Sequence, residues 1–267
     1  MNRVKLFALP LLLSPLLFGC NSSKESYIGI ISAMDNEIDL LLEEAKINRK
    51  DEIGGTTYHI GTLHDKNVII AKSGIGKVYA SSTTTILLDR YNISNVIFTG
   101  IAGGVKEETE VLDEVIATRL LEHDYGTIAD TESDGIEIVW TGGDPGKIEP
   151  AEGDYYYCDE RLVNLAYNAS VEVIGENHTY KGTIATGDQF VSSENYVKIL
   201  KTKFDAYACE MEGASVAKIC DEFETPFVVI RALSDLADGN AHESYEDFGD
   251  LAAYHSSRIV LKMIDNL

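Results

Sequence analysis

Apolar positions along this chain follow two alternating periods. Short β-rich runs give way to stretches in which apolar residues return every three or four positions, the pattern of an α/β domain around one main sheet. Residues 27–32 predict a first strand, and 35–45 a helix with Ile38, Leu41, Leu42 and Ala45 on one face. Residues 56–63 and 67–72 predict a strand pair, the first alternating and the second a buried run, joined at His64-Asp65-Lys66-Asn67. Further helices are expected over 77–91, 159–169, 193–201 and 213–222, with a last one from about Tyr245. Further strands are expected over 95–99, 114–119, 180–185 and 226–233. Residues 122–152, rich in Gly, Asp and Thr with a turn at Asp144-Pro145-Gly146, read as a loop excursion over the site or an oligomer contact. No repeat or linker divides the pattern. The expected fold is therefore α/β: a single-domain, three-layer α/β/α architecture with a central mixed twisted sheet.

The first residues break this pattern. Arg3 and Lys5 precede an apolar run from Leu6 to Phe18 that contains Pro10 and Pro15 and ends at Gly19-Cys20. The run is too short to span a bilayer and reads as a signal peptide over residues 1–19. Leu17-Phe18-Gly19-Cys20 resembles a bacterial lipobox, with Phe18 larger than the small residue usual there. Cys20 is the expected lipidation site, residues 20–26 a polar tether, and residues 27–267 the folded domain. Acyl chains on Cys20 would anchor that domain without a membrane-spanning helix, which predicts an extracytoplasmic, membrane-anchored lipoprotein of a bacterium.

A chain of 267 residues with 45% apolar content can bury a full core. Its net charge of −22 opposes nucleic acids and anionic lipid surfaces, because phosphate binding needs clustered Lys and Arg. No nucleic-acid partner is expected. Beyond Cys20, Cys158, Cys209 and Cys220 form no C-x-x-C pair, and the six His residues show no ligand spacing, so neither a metal nor another cofactor is expected.

Candidate chemistry concentrates in the C-terminal third. Ala208-Cys209-Glu210-Met211-Glu212-Gly213-Ala214 is followed, past one predicted helix, by an apolar strand that runs into Arg231, Ser234 and Asp235. Open α/β sheets place their sites at such strand ends. Alone, these acids would be surface groups or, for Asp235, a helix N-cap. Ser73-Gly74-Ile75-Gly76-Lys77 lacks the glycine span and the hydroxyl after Lys of a phosphate loop. Thr99-Gly100-Ile101-Ala102-Gly103-Gly104 reads either as a backbone that approaches a ligand closely or as a tight turn.

Together Ala33-Met34 with Glu37, Ser73 to Lys77, Ile101 to Gly104, Thr186-Gly187-Asp188-Gln189-Phe190, Glu210-Met211-Glu212 and Ser234-Asp235 resemble the 5′-methylthioadenosine/S-adenosylhomocysteine nucleosidases. The order of motifs is kept from Tyr27 to the C-terminus. The resemblance implies a nucleoside phosphorylase-like fold, an adenine nucleoside substrate, a homodimer, and hydrolysis of the N-ribosidic bond through an oxocarbenium-like sugar. It implies that Asp235 protonates adenine N7 with Ser234 orienting it, that Glu37 positions and deprotonates water, and that Glu212 holds the ribose hydroxyls. Met211 would pack beneath the sugar, Phe190 stack on the adenine, and the Val191 backbone read its edge. Ala33, Met34, Ile75 and Tyr245 would line the purine or alkylthio pocket, with Ile101, Ala102, Gly103 and Glu210 completing the site. Ile101 stands where the family commonly has Ser, and Tyr245 where it usually has Phe. Glu37 would repel phosphate, and no Arg occurs from Tyr27 to Asn48. Hydrolysis is therefore favoured over the alternative, a purine nucleoside phosphorylase. A non-catalytic nucleoside-binding or adhesin lipoprotein is the reading from another class.

Overall fold

The computed structural model describes residues 25–130, 136–140 and 150–267. The expected signal peptide, Cys20 and the turn at Asp144 to Gly146 lie outside these residues. The first half contains β1 (Tyr27–Ser32), α1 (Asp35–Glu44), β2 (Lys46–Ile53), β3 (Thr56–Leu63), β4 (Lys66–Lys72), α2 (Lys77–Arg90), β5 (Ile93–Gly104) and β6 (Glu114–Glu122). A small hairpin of β7 (Gly126–Asp130) and β8 (Ile136–Trp140) follows, then β9 (Tyr156–Tyr157), α3 (Glu160–Ile174) and β10 (Thr179–Thr186). The chain ends with α4 (Glu194–Phe204), β11 (Ala206–Glu210), α5 (Gly213–Glu222), β12 (Phe227–Asp235) and α6 (Ala241–Ile264).

The main sheet is mixed, in the order β11-β10-β6-β12-β5-β1-β4-β3-β2, with β9 paired to β6. Its central strands are buried on both faces, as a layered α/β domain requires. Successive residues point to opposite sides: Ile28 and Ile30 of β1 pack with α1, α3 and α6, whereas Ile31 packs with α2 and α5. Val228 and Ile230 of β12 divide from Val229 in the same way. Each buried aliphatic side chain contributes ~1.5–3 kcal/mol, so the alternation fixes the strand register and with it the side chains delivered at the strand ends.

β5 positions the site. Its first part pairs in parallel with β1 and β12, while Gly103 and Gly104 pair antiparallel with β11. Glycines let this strand bend and join both halves of the sheet. The Gly-rich segment is thus strand where a tight turn was the other reading.

Several expected bounds shift. β2 was not anticipated; it is a largely polar edge strand held to β3. Residues 122–152 contain a hairpin rather than only a loop. α3 and α4 run further than expected, and α6 begins at Ala241, four residues before Tyr245. Asp235 does not cap a helix, since the residue preceding α6 is Asn240. Among the described residues no helix is long and apolar enough to cross a membrane.

Candidate active site

β1 ends at Ser32, and the extended Ala33-Met34 link turns the chain into α1. Glu37, in the first turn of that helix, reaches back so that Oε2 accepts the N–H groups of Ala33 and Met34, both at 2.8 Å. Glutamate at the third helical position often returns to the helix start in this way. Oε1 accepts a third bond, 3.0 Å from the Ile101 N–H at the end of β5. The residue is buried, although a glutamate on a helix is usually solvated. Burial raises its pKa, opposed by Arg231 and by the three N–H groups.

Arg231 anchors the opposite acids. It is fully buried in β12, with its guanidinium 4.2 Å from the centre of the Phe98 ring. Nη2 lies 2.7 Å from Oε2 of Glu210 and 3.8 Å from Oε2 of Glu212. Glu210 Oε2 also accepts the N–H of Gly213 at 2.7 Å, and Oε1 accepts the Thr186 hydroxyl. An arginine in an apolar strand requires such partners, because an unpaired buried charge is prohibitive. Glu212 sits between β11 and α5, and its Oε1 accepts the Gly76 N–H at 2.7 Å. Burial, together with the Glu210 charge, lifts the Glu212 carboxyl to about 8, against the pull of Arg231. Gly76 meets it from a backbone with φ +101°, left-handed geometry suited to glycine.

Asp235 ends β12. Oδ1 accepts the Ala237 N–H and Oδ2 the Ser234 hydroxyl, both at 2.8 Å. Ala237 holds a φ of +53°, a conformation that costs an L-residue ~1–2 kcal/mol. Burial raises the Asp235 pKa despite these two donors. A Cβ on Gly103 would stand 2.9 Å from Oδ1 of Asp235, so glycine is needed for this approach. Glu37 and Asp235 therefore meet β5 two residues apart, at Ile101 and Gly103, roughly 7 Å along extended backbone.

These groups face one cavity of about 410 Å³. Its lining draws together Ala33, Met34 and Glu37; Ile75; Ile101, Ala102 and Gly103; Phe190 and Val191; Glu210, Met211 and Glu212; and Ser234, Asp235 and Tyr245. Every site residue expected from the sequence within the described chain is thus in one place. Phe190 and Ile75 are partly open to solvent, unlike the buried acids. Three lining residues were not anticipated: Gln189, Cys209 and His242. His242 lies one helical turn before Tyr245, spacing that puts both on one face of α6. Its ring lies 5.2 Å from that of Phe190, while Tyr245 meets Phe190 edge-on at 6.1 Å. The Tyr245 hydroxyl donates to Met34 Sδ at 3.7 Å. The arrangement offers three carboxyls with raised pKa values, a fourth acid paired with arginine, and the partly exposed Phe190 ring. Such a set can protonate a leaving group and activate water.

Comparison with known proteins agrees with this geometry. A family model described as the phosphorylase superfamily matches residues 27–265. The 5′-methylthioadenosine/S-adenosylhomocysteine nucleosidase of Bacillus pumilus is 40% identical over 238 residues, covering 89% of this chain and 97% of that protein. The crystal structure of the nucleosidase of the same name from Neisseria meningitidis, in complex with methylthio-immucillin-A, superposes with a TM-score of 0.78 at 33% identity. It covers 91% of this chain and 100% of that one. Futalosine hydrolase of Helicobacter pylori also superposes with a TM-score of 0.78 at 33% identity, over 91% of this chain and 99% of its own. Coverage of this extent spans the whole cavity and every strand end that builds it, and the chain belongs to the 5′-methylthioadenosine/S-adenosylhomocysteine nucleosidase family of the phosphorylase superfamily.

Proposed function

We propose that this protein hydrolyses the N-ribosidic bond of 5′-methylthioadenosine and S-adenosylhomocysteine, releasing adenine. The observation that carries the reading is the Glu37 carboxylate, held by three backbone N–H groups in the cavity that Asp235 also faces. A carboxylate has about four lone-pair sites, so three donors leave one for a water molecule.

In this reading the C1′–N9 bond breaks with its electron pair going to adenine, while Asp235 transfers a proton to N7. The carboxylate left on Asp235 is then stabilised by Ser234 and Ala237, which favours the transfer. The ribosyl cation that develops lies among Glu37, Glu210 and Glu212, and Glu212 accepts bonds from the ribose hydroxyls. Water held by Glu37 bonds to C1′ and gives its proton to that carboxylate, producing a free thioribose. Phe190 stacks on adenine, the Val191 backbone reads its edge, and Met211 packs beneath the sugar.

Water is favoured over phosphate as nucleophile because no Lys or Arg is among the described residues that line the cavity, while Glu37, Glu210, Glu212 and Asp235 are. Among these described residues a phosphate dianion would meet acids and no free cation. The test is incubation with each nucleoside and chromatography of adenine and sugar. Adenine release that Asp235→Asn abolishes is expected. Adenine release that requires phosphate would move the protein to the phosphorylases, and tight binding without turnover would leave a nucleoside-binding lipoprotein.

The reading includes a lipid anchor on Cys20 and a homodimer. The lipobox-like Leu17 to Cys20 supports the first, and mass analysis of the mature N-terminus tests it. Exposed Ile75, Val78 and Tyr79 near the cavity opening support the second, and sedimentation of the purified protein tests it.

A further inference from the structure

We infer that Asp124 is a positioning residue that ties the sugar-side glycine turn to the loop that carries Phe190 and Val191. The inference rests on the proposed nucleosidase reading for its ligand and on the following contacts for its geometry. Asp124 follows β6. Its Oδ1 accepts the Lys77 ammonium at 2.7 Å, and its Oδ2 accepts the Asp188 N–H at 2.9 Å. Asp188 returns the contact, because its Oδ1 accepts the Lys77 backbone N–H at 2.8 Å. The ring closes: Lys77 to Asp124, Asp124 to Asp188, Asp188 to Lys77.

None of the three lines the cavity, but Lys77 and Asp188 adjoin segments that do or that bind its acids. Lys77 follows Gly76, whose N–H binds Glu212. Asp188 precedes Gln189, Phe190 and Val191, all of which line the cavity. A Cβ on Gly76 would approach Oδ1 of Asp188 to 3.1 Å, so the two segments are in close contact. The Asp188 carboxylate at the start of α2 also satisfies an otherwise orphaned helical N–H and suits the helix dipole.

The ion pair is not a loose surface contact. The Lys77 and Asp124 side chains are only 19% and 12% exposed, and Glu122 adds a second carboxylate 3.1 Å from Nζ. Screening is weaker there than in bulk solvent. The bridge therefore acts on ligand binding by fixing where the base-side loop stands relative to the sugar-side turn. It touches none of the reacting atoms, so its removal affects adenine affinity and KM ahead of kcat.

The experiment compares Asp124→Ala, Asp124→Asn, Lys77→Met and the Lys77→Met/Asp124→Ala pair in the full chain. Each is assayed for methylthioadenosine kinetics, adenine affinity and hydrogen exchange of the Asp188 amide. Asp124→Ala is expected to raise KM and the adenine Kd about tenfold, with kcat changed less than about threefold. The Asp188 amide should exchange faster. Asp124→Asn keeps one acceptor and should fall between Asp124→Ala and the natural protein. The double variant should be no worse than Asp124→Ala alone, because both changes break the same ring. Unchanged KM and adenine Kd in Asp124→Ala, or additive losses in the double variant, would overturn the inference. Absence of turnover in the natural protein would count against the nucleosidase reading instead, while adenine affinity and amide exchange would still test the bridge.

Discussion

Glu37 and Ile101, 64 residues apart in sequence, are joined by a bond of 3.0 Å in which the Ile101 backbone N–H, not its side chain, is the donor. The family's usual Ser at this position is therefore unnecessary for holding the Glu37 carboxylate. What the contact does require is the residue before it: a Cβ on Gly100 would fall 2.3 Å from Glu37 Oε1 and 2.9 Å from Arg231 Nη1. Gly100→Ala is expected to displace both charged groups, lowering kcat at least tenfold and stability by ~1–3 kcal/mol. Adenine release and urea unfolding on one preparation read the two effects.

Substitution of the two proposed proton-transfer groups separates their roles. Asp235→Asn and Glu37→Gln should each lower kcat by about 10²–10⁴-fold, the usual worth of a positioned acid or base. Asp235→Asn should retain nucleoside binding, measurable by calorimetry. A Glu37→Gln variant with kcat near that of the natural protein would remove Glu37 from the chemistry.

Removal of the arginine tests what holds the acids together. Arg231→Met leaves Glu37, Glu210 and Glu212 without their shared buried cation and should destabilise the fold by ~3–5 kcal/mol. Adding Glu210→Gln should recover part of the loss, because it removes one of the stranded charges. Urea unfolding of the single and double variants measures both.

The Glu212 carboxyl gives stability a pH dependence of definite sign. Its pKa rises from 4.5 to about 8 on folding, so the folded state keeps a proton that the unfolded state releases between those values. The contribution is complete below pH 4.5 and is lost as pH rises through about 8. The Tm of the natural protein minus that of Glu212→Gln should fall across this window. A difference that stayed flat or rose would contradict the assigned direction.

The contrast between β1 and β2 shows what periodicity can reveal. β1 is buried on both faces and reads as an unbroken apolar run. β2, Lys46–Ile53, is an edge strand with most side chains in solvent, so only Ile47 and Ile53 carry an apolar signal. Glycines ordinarily interrupt strands, so the sequence predicts a strand only over residues 95–99 where β5 runs from Ile93 to Gly104. Here they let Glu37 and Asp235 approach its backbone. The acids themselves were legible from ordered motifs. The clustering of several carboxyls around one guanidinium was not, although an arginine inside the apolar Val228 to Leu233 run already demands a buried acid. Nor was the tilted contact between the His242 and Phe190 rings, which depends on how α6 packs beside the segment that carries Phe190.

The central claim is that water, held by Glu37, is the nucleophile. The most direct measurement is turnover of methylthioadenosine in ¹⁸O-labelled water with phosphate present, followed by mass analysis of the sugar. The account predicts free methylthioribose carrying one label at C1 and no sugar phosphate. An unlabelled sugar 1-phosphate would contradict it.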